Sequence, residues 1–480
     1  MAASTAGMLG SSAYTRMRSE NPSEFMPKRV LLARHDDRES DIDRGNSFWV
    51  KAALVYESVT GDHVDDHTRH LSRDLLLNLA AYCCSRIHPP PPSPPQPKVE
   101  GADADDKDKE KAKEDDQSGK RTQHPDEGTE ENKQVIDAIF LVVGFLPRLT
   151  KAASGGKGAG AAAAAASRDA VDDSFKATHM QDIVTDVIKL ENQIPIKHLL
   201  AVVDHAEAAV HAAAAAIPEF KDEVAKKLQE YELGFRRADF DGVIRSFCWY
   251  YSPFFSKQAA TAAPPKDDEH AKKASDTVSD ELTLLDCLHA SLVPPSSEAI
   301  AGGGGVKGGK TSRIPTAKEL RRSGVRLEAV EEGRAMVQFR EDAATLRLPA
   351  LVYDFKLSTV ARNLLAREFE EQSKPVTRYF QLMNELVDEV ADVRILRRAG
   401  VVRGGSRGAS EVHELIKKID GYATYPSVFM AMDVQVEKVK VFHEKRMNSF
   451  FVRYRPAIVA ASSVVAASVV AIVATRKKRG

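Results

Sequence analysis

Apolar positions recur at helical spacing along most of this chain. In "MQDIVTDVIKLENQ", Met180, Ile183, Val184, Val187 and Ile188 fall on one stripe, and Pro195 can occupy the first turn of a following helix carrying Leu199, Leu200 and Val203. "VTRYFQLMNELVDEVADVRILRRAG" puts Phe380, Met383, Leu386, Val387 and Val390 on one face and ends at Gly400, which reads as one long helix with its stop. One region breaks the period. Around residues 325–351, Val325, Leu327, Val337, Phe339, Leu346 and Leu348 alternate with polar positions between turn-like residues, which predicts a small antiparallel β meander. The last pattern is uniform: Ala457 to Thr475 holds no charge. At ~1.5 Å per residue that segment reaches ~28 Å, close to the hydrocarbon thickness of a bilayer. The expected fold class is therefore mainly α, with a small antiparallel β meander and a C-terminal transmembrane helix.

Flanking residues bear on the terminal segment. Phe450, Phe451 and Tyr454 suit the headgroup level, and Arg476, Lys477, Lys478 and Arg479 follow. Ser463, Ala467, Ala471 and Thr475 lie four apart, a small-residue stripe that lets two such helices approach closely. Lipid is the expected partner, with a homodimer through the tail helix and an unidentified protein partner alongside. With no apolar run in "MAASTAGMLGSSAYTRMRSE", the bulk of the chain is expected in the cytosol as a tail-anchored protein. A buried helix in a soluble protein is the competing reading.

Low-complexity stretches divide the rest. The expected organisation is a disordered segment 1–30, a helical segment 31–88, a disordered Pro-rich and charged linker 89–134, a helical domain 135–455, the membrane helix 457–475 and a basic tail 476–480. Loops at 151–170, 256–280, 296–315 and 403–410 interrupt the helical domain.

The composition narrows function mainly by exclusion. The chain's 480 residues carry 68 basic and 69 acidic side chains, a net charge of −1, so no whole-chain field draws in nucleic acid. Cys83, Cys84, Cys248 and Cys287 form no C-x-x-C pair, which fits a reducing compartment. Residues 304–311 spell the phosphate-loop pattern, yet no apolar strand leads in and Pro315 stops any helix leading out; a flexible loop is expected. Gly404 to Gly408 fits a nucleophile elbow, with only Val401 and Val402 where a strand should hold Ser406. His63, His67 and His70 share zinc-like spacing at a polar helix start, where imidazoles are commonly just solvated. "SFCWYYSPFF", residues 246–255, reads as core in preference to a recognition surface. No cofactor, metal or catalytic set is assigned.

The piece "DVIKLENQIPIKHLL" resembles the signature of the plant family known as domain of unknown function 247, through Asp186, Leu190, Glu191, Asn192, Gln193, Ile194 and Pro195. "LTLLDCLHASLVP", "IPTAKELRRSGVRLE", "LRLPALVYDFKLSTVARNLLAREFEEQ" and "YFQLMNELVDEVADVRILRRAGVV" are similar to further family pieces, in the same order, over roughly residues 135 to 480. The family's usual opening motif is not recognisable. The resemblance implies a single-pass membrane protein, with the plasma membrane favoured, in a family some of whose members act in recognition, including grass self-incompatibility. Glu191, Asn192 and Gln193 can be read as a ligand or catalytic cluster, or as partners for the backbone groups exposed where two helices meet before Pro195. The second is preferred. Two function classes follow: a membrane-tethered interaction or scaffold protein, or an enzyme using Glu191 or a histidine.

Overall fold

Helical spacing becomes helix almost throughout the computed structural model, which describes residues 12–32, 44–88, 130–153, 172, 178–220, 222–257, 282–294, 313–404, 408–420 and 428–448. Segment 457–475, with Ser463, Ala467, Ala471 and Thr475, lies outside the described residues, as do 295–312 and Ser406. The chain opens with α1 (Ser12–Glu20), α2 (Pro22–Phe25), α3 (Arg44–Thr60), α4 (Arg69–Ile87) and α5 (Glu130–Ile139), which runs through a π-helical turn, Phe140–Phe145, into α6 (Leu146–Ala153). Then come α7 (Thr178–Val187), α8 (Ile196–Val203), α9 (Ala206–Ala216), α10 (Asp222–Gln229), α11 (Phe240–Tyr251), α12 (Leu284–Leu292) and α13 (Ala317–Arg322). Strands β1 (Arg326–Val330), β2 (Gln338–Arg340), β3 (Thr345–Pro349) and β4 (Leu351–Val352) precede α14 (Leu357–Arg367), α15 (Pro375–Leu386) and α16 (Val390–Arg398). The described part closes with β5 (Val402–Arg403), α17 (Ala409–Asp420) and α18 (Ala431–Met447).

Two compact units form, and neither is one continuous stretch: 29–152 with 194–243, and 1–28 with 153–193 and 244–480. The smaller unit packs α3, α4, α5, the π turn, α8, α9 and α10 around Val55, Tyr56, Leu75, Leu76, Leu79, Ile139 and Phe140. All six residues of the π turn are buried. Gly144 brings the π turn against α3, where even a Cβ would sit 3.4 Å from the backbone nitrogen and Cγ2 of Val55, at the edge of ordinary contact. Lys51 is buried beside Asp137, and its ammonium also donates to the Leu31 carbonyl. Helices α8 and α9 meet at 58°, their buried face being Leu199, Val202, Ala206, Ala209, Val210 and Ala213. Among the described residues no single helix is long and apolar enough to cross a membrane.

In the larger unit the β region differs from the expected meander. β1 pairs with β3 in parallel, β2 pairs with β3 antiparallel, and the order is β1-β3-β2. The cause is the connection after β1. Ala335 donates its N–H to Leu292 and Glu332 bridges to Ser256, so residues 331–337 are drawn away from a hairpin and β3 inserts between the other two strands. A second small sheet pairs β4 with β5 in parallel. The long helix expected over 376–400 is also two helices. Val387 is extended, and the Asp392 carboxylate accepts the N–H groups of Asp388 and Glu389, capping α16 as a fresh start. Phe380, Met383, Leu386 and Val387 keep the anticipated buried face, whereas Val390 is only half-buried and α16 buries Val393 and Leu396 instead; Gly400 ends α16 at φ +72°. The aromatic run lies in the core: Phe247, Tyr250, Tyr251 and Phe254 are buried, with Phe254 edge-on to Tyr379 at 4.7 Å.

Candidate functional site

At Val187 the helical period of α7 stops, and its last carbonyls need partners. Two motif side chains supply them. Asn192 Nδ2 donates to the Asp186 carbonyl at 2.9 Å; Gln193 Nε2 reaches the carbonyls of Val187 at 2.7 Å and Lys189 at 3.0 Å. Gln193 Oε1 accepts the N–H of Leu285, tying the turn to the start of α12. The Leu190 N–H donates to Asn363 Oδ1 on α14 at 2.8 Å, while Asn363 Nδ2 donates to the carbonyls of Glu24 and Thr359. Leu190 itself is buried.

The two carboxylates of the motif serve the N-terminal segment. Asp186, wholly buried, accepts the Lys28 N–H on both oxygens at 2.9 Å and pairs with Lys189 Nζ at 2.9 Å. The side chain of Lys189 is likewise 0% exposed, and its ammonium also donates to the Met26 carbonyl at 2.7 Å. Glu191 accepts the Tyr14 hydroxyl and pairs with Arg18 Nε at 2.6 Å. Burial, reinforced by the Glu191 carboxylate, pushes the Tyr14 phenol well above its usual range. Glu24 answers from the other side, accepting the hydroxyls of Ser358 at 2.6 Å and of Thr359.

Ile194 and Pro195 fall in the other unit, because the chain crosses between units after Gln193. Both are buried, and Pro195 is the N-cap of α8 rather than a first-turn residue, with φ −60° and ψ 140°. Sequence reading missed Lys189, Asn363, Glu24, Tyr14 and Arg18. Only Asn363 had a visible signal, inside the quoted "VARNLL"; nothing local marks a lysine as buried.

Other candidate chemistry is scattered. His289 Nε2 meets Glu368 Oε1 at 2.9 Å, but that carboxylate also accepts the N–H groups of Val376 and Thr377, capping α15. Lys356 is buried between Asp354 at 2.6 Å and Asp172 at 3.4 Å, over the Tyr250 ring. His63 is exposed beside Glu57, and no group among the described residues has the make-up of a metal site. A two-residue strand, β5, does precede Gly404. A small open depression is lined by Met336, Met430, Met432, Pro294 and Pro375, with neither Glu191 nor a histidine on its walls.

The family model described as plant protein of unknown function, domain of unknown function 247, matches residues 133–475. The chain belongs to this family. A putative UPF0481 protein of Arabidopsis thaliana is 34% identical over 105 residues, 21% of this chain and 20% of that protein. The chain thus matches about a fifth of the relative's length. No solved structure matches. The matched region contains every residue of the motif, whereas Tyr14, Arg18 and Lys28, which the motif holds, and Glu24, which α14 holds, lie outside it.

Proposed function

We propose that this member of the domain of unknown function 247 family is a membrane-tethered interaction or scaffold protein, with the 186–195 motif acting as a structural junction and no reaction of its own. The observation that carries the tether is the charge-free run from Ala457 to Thr475, set between aromatic and basic flanks. The non-enzymatic reading is supported by how the motif spends its polar atoms. Asn192 and Gln193 bond α7 carbonyls, and Asp186 and Glu191 bond the N-terminal segment. Glu191, the acid an enzyme would use, already serves a phenol and a guanidinium. The tail's partner is lipid, a second tail helix packs along Ser463, Ala467, Ala471 and Thr475, and the body stays cytosolic, at the plasma membrane, without nucleic acid.

Fractionation of lysed plant cells tests this. Full-length chain is expected in the membrane pellet after alkaline carbonate and released by detergent, while a chain lacking 457–480 is expected in the supernatant. Full-length protein in the high-speed supernatant contradicts the tether. Cross-linked dimers that persist when Ala467 and Ala471 become leucine contradict the tail dimer.

A further inference from the structure

The first described residues behave like a bound ligand. In α1, Tyr14, Met17 and Arg18 face the body, with Tyr14 and Met17 2% exposed, while Thr15, Arg16, Ser19 and Glu20 face out. That is the i, i+3, i+4 anchor spacing of a helix laid in a groove. Phe25 of α2 is the fourth anchor, 0% exposed and edge-on to Tyr14 with ring centroids 5.7 Å apart. Around these anchors sit complementary charges: Arg18 on Glu191, and the Glu24 carboxylate on the hydroxyls of Ser358 and Thr359. Main-chain groups are read as well, through Asn363 on the Glu24 carbonyl, Lys189 on the Met26 carbonyl and Asp186 on the Lys28 N–H. Apolar anchors, matched charge and backbone capture are how peptide-binding surfaces gain specificity. Directly after Lys28 the chain leaves this unit for the other. Residues 12–28 are therefore a separately attached strap, lying on a receptor built wholly within the family-matched region.

We propose that the turn after α7 and the first turns of α14 form a peptide-docking surface, filled by the chain's own residues 12–28 and open to the same segment of a second copy. The inference stands independently of the membrane reading. The strap's own sequence defines the chemistry of the occupant: aromatic, methionine and arginine anchors on one helical turn, followed by a phenylalanine and a carboxylate. Covalent attachment gives the strap an effective concentration of about millimolar, so the surface captures a second copy only when its own strap lifts.

The test uses full-length chain in detergent and a fluorescein-labelled peptide spanning residues 12–28. Wild-type chain should capture the peptide weakly. Glu24→Arg, which weakens the chain's own strap and leaves the receptor untouched, should raise capture about 10-fold or more, because the strap loses the carboxylate that accepts the Ser358 and Thr359 hydroxyls. Adding Glu191→Arg to that chain should abolish capture, since the receptor then repels Arg18. Equal capture by wild type and Glu24→Arg, or retained capture by the double variant, overturns the proposal. A measurement on wild type alone guards against misfolded variants. The amides of Glu24 and Met26, bonded within the strap, should exchange with solvent together and at least about 10-fold faster than those of α14. Exchange of the strap only at the rate of α14 overturns the proposal too.

Discussion

Lys189→Met is the sharpest perturbation of the junction. The wild-type ammonium is wholly buried and holds both the Asp186 carboxylate and the Met26 carbonyl. Methionine refills the volume of the lysine stem and removes the charge together with the donors to Asp186 and the Met26 carbonyl. Asp186 then keeps the Lys28 N–H and loses its countercharge inside the protein, and removing one partner of a buried pair costs about 3–5 kcal/mol. Adding Asp186→Asn deletes the orphaned charge while keeping an oxygen for the Lys28 N–H, and should recover about 2 kcal/mol of that loss. The assay is urea unfolding followed by Trp249 fluorescence in a Trp49→Phe background, because Trp249 lies in the unit holding the junction and Trp49 in the other. With a slope of ~2–3 kcal/mol/M, Lys189→Met should lower the Trp249 midpoint by about 1–2 M. A shift below ~0.5 M, or a double variant no more stable than the single one, would refute the reasoning.

Further outcomes follow from other sites. Gly404→Ala should destabilise the larger unit by about 1–3 kcal/mol in the same unfolding assay, since φ is +80° and the new Cβ would lie 2.8 Å from the Tyr353 carbonyl oxygen. Glu368→Ala should cost about 2–4 kcal/mol, because two N–H groups at the start of α15 and His289 lose their acceptor; Glu368→Gln should recover part of it. Burial pushes the Cys83 thiol up to about 12 and Cys84 to about 11, so iodoacetamide at pH 8 should modify native Cys83 on the order of 10³-fold more slowly than the unfolded chain. The same shifts set a stability trend. The unfolded thiols ionise from about pH 8.5 while the folded ones stay protonated, so the smaller unit should lose stability as pH rises from there towards 12, read by Trp49 fluorescence.

What the sequence made legible was local. The α7 stripe, the buried face of α15 and the stop at Gly400 all follow from neighbouring residues, and each is visible in local spacing alone. The strand positions were legible for the same reason, since alternation marks which side chains are buried. Pairing was not, because it turned on the long-range bond from Ala335 to Leu292. The break at Val387 turned on Asp392 capping backwards, a contest between continued helix and a new cap that propensity does not decide. The site follows the same rule. The amide nitrogens of Gln193 and Asn192 act within six residues of themselves and were readable as carbonyl partners of a helix end, whereas Tyr14, Arg18 and Asn363 reach the motif across more than 160 residues of chain. Lys189 shows the limit most plainly: an ordinary surface lysine by sequence, a buried counterion in the fold.

As a structural junction, the 186–195 motif should stay closed in the native state. Native-state hydrogen exchange at the Leu190 amide tests this most directly, because that N–H leaves the end of α7 and is held by Asn363 Oδ1 at 2.8 Å, both residues being buried. Protection equal to that of the α14 helix amides is the expected result. Exchange as fast as that of an amide in an unstructured peptide would contradict it.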